Sequence, residues 1–131
     1  MAYGALAAFD RLAEAARRAP SLADKVYVAS LAALQIKHFD TVRARLGELD
    51  VDVMVAMEPF HAPFDEFHAQ TKPKDWLEGL VLAYVGNGFA ADFYREVAAF
   101  VDADTRALVH QVLADEGHAD FVIEEVRTAI A

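Results

Sequence analysis

Two pairs of side chains repeat one spacing at distant points of the chain: Gln35-x-x-His38 and Asp115-x-x-His118. On a helix, residues three apart share a face, about one turn from each other. An oxygen-bearing side chain one turn before a histidine is placed to share a metal ion or a hydrogen bond with it. His38, Asp115 and His118 are ordinary transition-metal ligands. Two histidines and one carboxylate form the ligand set of mononuclear non-haem iron sites that leave positions open for oxygen, and zinc or manganese accepts the same donors. Gln35 is a neutral amide and a weak ligand.

Such pairs need rigid helices, and the apolar pattern supplies them. Val28, Leu31, Gln35, His38, Val42 and Leu46 are spaced by alternating threes and fours, so both polar residues lie in an apolar stripe. The helix that carries them starts after Ala19-Pro20, with Ser21 as cap and Asp24 at its positive end, and Gly47 is expected to end it. An alanine-rich helix over 3–18 precedes it, with the stripe Ala5, Phe9, Leu12 and Ala16. A third long helix is predicted over 74–100, with the stripe Leu77, Leu80, Tyr84, Asn87, Ala91, Tyr94 and Ala98. Asp102 caps a fourth that runs to the C-terminus, with the stripe Leu108, Val112, Asp115, His118, Val122 and Val126. Residues 48–73 hold three prolines and no sustained period, which predicts one or two short helices inside a long crossover.

No segment alternates like a strand. The prediction is all-α: a single-domain, four-helix bundle of 131 residues with a long crossover between its second and third long helices. Its halves look like diverged copies of one helical hairpin. Ala5 stands 30 residues before Gln35, and Asn87 stands 28 before Asp115.

The phrases "AYGALAAFDRLAEAARRAPSLADK", "DWLEGLVLAYVGNGFAADFYREVAAF" and "LADEGHADFVIEEVR" carry a family likeness. The chain resembles the ferritin-like superfamily of di-iron carboxylate proteins. Within it, the chain is similar to actinobacterial ferritin-like proteins related to the tRNA hydroxylase that acts on methylthio-isopentenyl-adenosine. The resemblance covers most of the sequence. It implies a carboxylate on helices one and three, Glu-x-x-His on helix two and carboxylate-x-x-His on helix four. Here His38, Asp115 and His118 keep the expected type, whereas Ala5, Gln35 and Asn87 replace acidic ligands. Glu14 or Asp10 would serve on helix one in another register, and Asp92 or Glu78 on helix three. The resemblance also implies a chain that continues past "VRTAIA".

Two irons carry at least four positive charges, which one remaining carboxylate does not balance. One ion, with iron as the implied metal and one more expected than two, is the reading that the ligand set favours. It would be held by His38, Asp115 and His118, with Gln35, Asn87 and Tyr84 around it. An active form would use iron and oxygen to hydroxylate or oxidise a small molecule or modified nucleoside. Against it stands a non-catalytic protein, in which the same histidines, amides and aspartate form a satisfied polar core or a small-ligand pocket.

The remaining candidates read as structural. Glu58-x-x-His61 and Asp65-x-x-His68 lie in the proline-broken stretch and are read as crossover or surface residues, and His110 falls off its helix stripe. Tyr84 and Tyr94 are core aromatics that seek a partner for their hydroxyls. Gly86 and Gly88 each cost about 1 kcal/mol inside a helix, which predicts close packing or a local bulge. A net charge of -9 disfavours nucleic acid, and no apolar run is long enough to span a membrane. The absence of cysteine excludes disulfides and thiolate chemistry and fits a reducing cytoplasm. A hydrophobic fraction of 56% predicts apolar surface covered by a second copy, a homodimer.

Overall fold

The computed structural model describes residues 1–114 and 119–131. Every regular element among them is helical: α1 (Ala2–Arg17), α2 (Leu22–Glu48), α3 (Val53–Gln70), α4 (Trp76–Ala98), α5 (Ala103–Ala114) and α6 (Ala119–Ile130). They group into two compact units, Met1–Lys72 and Pro73–Ala131.

In the first unit, α1 packs along α2, and α3 packs on both. Ser21 caps α2 through its Oγ, which accepts from the Asp24 amide at 3.1 Å, while the hydroxyl donates to the Asp24 carboxylate at 2.7 Å. The far end of α2 differs from expectation. Gly47 sits inside the last turn, and Asp50 makes the left-handed turn at φ 58°. The amide of Val51 bonds to the Leu46 carbonyl at 2.8 Å, and that of Asp50 bonds to Gly47 at 3.1 Å. This is the paired closure of a Schellman motif, with aspartate in the place glycine usually takes.

The crossover also differs, because α3 is one helix of 18 residues with Pro59 and Pro63 inside it. Asp52 starts it by accepting from the amides of Met54 and Val55. A proline inside a helix removes one amide donor and frees a carbonyl. Both prolines are exposed and lie four residues apart on one side, whereas Met57, Phe64 and His68 turn to the buried side. The freed carbonyls therefore meet water, and the helix survives.

In the second unit α4 packs with α5 and α6. Asp75 caps α4, accepting from the Glu78 amide at 2.9 Å. The other end is closed by Arg106, which donates to the carbonyls of Ala98, Ala99 and Val101 at 2.9, 3.2 and 3.1 Å. Asp102 accepts from the Thr105 amide at 3.0 Å, as its position before a helix predicted. Gly86 and Gly88 are exposed within an unbroken helix, and no described atom outside their own stretch of helix lies within 4 Å of where a Cβ would stand. Among the described residues, neither close packing nor a bulge accounts for them.

Candidate functional site

Val28, Ala32, Gln35 and His38 form the buried face of α2. Gln35 is 7% exposed and His38 is 5% exposed, and they are the buried polar side chains among the described residues. The Nε2 atom of His38 is closed to solvent. A polar group in such a place costs free energy unless it is engaged, and His38 and Asn87 each have an interaction partner. The first unit thus contributes an imidazole and an amide to its core, one turn apart, as the sequence spacing predicted.

The rest of the expected centre is placed unevenly. Ala5 is half-buried on α1 and offers only a methyl group. On α4, Asn87 is half-buried, and Tyr84 is 39% exposed. The predicted α4 stripe holds at Leu80, Ala91 and Ala98, which are buried. Leu77 and Tyr94 are half-buried, and burial pushes the Tyr94 phenol up from its ordinary range. Asp115 and His118 lie outside the described residues.

The substitute carboxylates are committed elsewhere. Glu14 pairs with Arg17 at 2.7 Å and with Arg18 at 3.3 Å, and Asp10 is exposed. Asp92 pairs with Arg95 at 3.1 Å, and its side chain is 80% exposed. Glu78 lies in the first turn of α4, where its carboxylate accepts from the Lys74 amide at 3.3 Å. None of these takes the place of a buried acidic ligand. Among the described residues, no three histidine or acidic side chains gather closely enough to hold a metal ion.

One polar cluster escaped the sequence reading. The Tyr3 hydroxyl donates to Asp65 at 2.5 Å, and Asp65 also pairs with His61 at 2.9 Å. The Tyr3 ring packs edge-on against His61 and Phe64. Desolvation, then the bond to Asp65, raises the Tyr3 phenol to about 12. Nearby, Arg11 donates to the Thr71 carbonyl at 2.8 Å and to its hydroxyl, tying the end of α3 to α1. The pKa of His68 is lowered, first by burial and then by the Arg11 charge. The available signal was the four-residue step from His61 to Asp65, hidden by attention to three-residue steps. The cluster is largely exposed and serves to dock α3 on α1.

A family profile described as a ferritin-like domain of actinomycetes matches residues 1–131. The chain belongs to this ferritin-like family. No curated protein matches it. Di-iron members of the ferritin-like class hold their metals with a Glu from each of two helices and Glu-x-x-His from each of the other two. This ferritin-like chain presents a methyl group at residue 5 and amides at 35 and 87. None of these three side chains is the carboxylate of that pattern.

Proposed function

We propose that this ferritin-like protein carries a reduced core centre, built on His38 and able to hold one metal ion with Asp115 and His118. The observation that carries the reading is the buried His38–Gln35 pair on α2, an imidazole set one turn from an amide inside an otherwise apolar core. In this reading Asp115 supplies the negative charge, and the two imidazoles supply nitrogen donors. Gln35 and Asn87 are too weak as ligands to bind the ion and instead orient a water or substrate beside it. Bound iron would supply oxygen-dependent oxidation, which defines a hydroxylase or oxidase of a small molecule or modified nucleoside. The relation to tRNA hydroxylases belongs to this proposal, and the net charge of -9 favours a free small substrate over an RNA backbone. No helix among the described residues is long and apolar enough to cross a membrane.

Gln35 favours a second reading, in which the cluster is a non-catalytic polar core. A side-chain amide is a good hydrogen-bond partner for a neutral histidine and a poor metal ligand. Metal content separates the two. Protein from cells supplied with iron, zinc and manganese should carry about one ion per chain, and His38→Ala should lose it. Metal near zero after both aerobic and anaerobic iron loading would remove the centre and leave the polar core.

A further inference from the structure

Helix α4 has a second apolar face. Leu80, Ala83, Ala91 and Ala98 turn to its buried side. Away from them run Val81, Val85, Phe89, Phe93 and Val97, each four residues after the last, with Phe100 beyond. All six are exposed: Phe89 by 74%, Phe93 by 63% and Phe100 by 89%. Residues 79–91 contain no charged side chain. Solvent alone does not account for such a face on a chain whose residues are 25% charged.

We infer that this ridge of α4 is the interface at which a second copy of the chain docks. Three features favour that occupant. The first is area. Taking each aromatic at roughly 200 Å² and each valine at roughly 160 Å², the exposed fractions give about 650 Å² per copy, most of the ~800 Å² per partner of a stable interface. The second is symmetry. A row of residues four apart is the ridge that packs on an identical ridge in the commonest helix crossing. A two-fold axis passing near Phe89 would set Val85 of each copy against Phe93 of the other, a small side chain beside a large one.

The third feature is the glycines. Gly86 is an open notch bordered along the helix by Phe89 and Phe93, and Gly88 opens another beside Val85. Nothing among the described residues accounts for their cost. Between copies, a notch without a side chain admits a phenylalanine of the partner. A lipid surface is disfavoured as occupant, because a chain of net charge -9 is repelled by anionic membranes.

Sedimentation of the full chain over a concentration series tests the inference. The wild type should be a dimer in the micromolar range. Phe89→Glu combined with Phe93→Glu should weaken it roughly 30-fold or more while helical circular dichroism is unchanged. Gly86→Leu is a second probe, since its Cβ would meet no described atom outside its own stretch of helix within 4 Å and leucine favours the helix, yet it fills the notch. It too should weaken the dimer. Because the chain has no cysteine, Phe89→Cys has only its counterpart in another copy to pair with, and mild oxidation should yield a covalent dimer. A wild type that stays monomeric at tens of micromolar, or binds anionic vesicles instead, overturns the inference. So does a dimer that survives both the double variant and Gly86→Leu.

Discussion

Arg106 closes the end of α4 with one guanidinium, and replacing it should show how much that closure contributes. The last carbonyls of a helix lack partners within it and carry the negative end of its dipole. Arg106 meets Ala98 in a partly buried contact and Ala99 and Val101 in exposed ones. Allowing about 1.5 kcal/mol for the first charge-assisted bond and about 0.5 kcal/mol for each screened one gives roughly 2.5 kcal/mol. Arg106→Met keeps the aliphatic stem and removes every donor, so it should cost that amount. Arg106→Lys keeps the charge without the planar fork and should fall between the two. The assay is urea unfolding followed by fluorescence of Trp76, the single tryptophan, which lies in the same compact unit as the clasp. With a denaturant dependence of roughly 1.5 kcal/mol per molar, the midpoint should fall by about 1.7 M. A fall below about 0.3 M for Arg106→Met would refute the reasoning and show that water serves those carbonyls equally well.

Pro59→Ala and Pro63→Ala should each stabilise the first unit by about 1–2 kcal/mol, as a restored amide donor outweighs the added freedom of the unfolded chain, and denaturation followed by circular dichroism reads the gain. A loss on either change would show that the prolines fit a shape the docked helix needs. Tyr3 provides a pH test. Its phenol titrates at about 12 when folded against an ordinary value of 10.0, so the folded state holds the proton more tightly. The stabilisation is complete below the ordinary value and is lost as pH rises through 10 towards 12. Absorbance titration should find a late-titrating phenol that Asp65→Asn shifts downward and Tyr3→Phe removes.

The second helix was the most legible part of the sequence, with Gln35 and His38 inside its stripe, because two neighbouring helices leave it one well-defined inner side. The third helix was hidden by its prolines. Their cost depends on whether the freed carbonyls face water, and sequence period alone says nothing of that. Gly47 drew attention as a helix stop, yet Asp50 adopts the left-handed turn, since a short polar side chain tolerates that conformation. On α4 both faces are apolar, so periodicity found a stripe through Asn87 and gave no weight to the one through Phe89. For the candidate centre, residue type alone argues against a full set of acidic ligands at Ala5, Gln35 and Asn87, because a methyl or an amide is a poor ligand in any register.

Gln35 also bears on how such a chain drifts over generations. Glutamine and glutamate codons differ by one base, and the two side chains have nearly the same shape. Yet the exchange is directional in a sealed interior, where a lone carboxylate without a cation is destabilising by several kcal/mol. With the amide in place, exchange to the acid is penalised unless a positive ion lies beside it, so Gln35→Glu should be tolerated better in metal-loaded protein than in metal-free protein. A neutral side chain is therefore the stable occupant of this point of the core until a cation shares it.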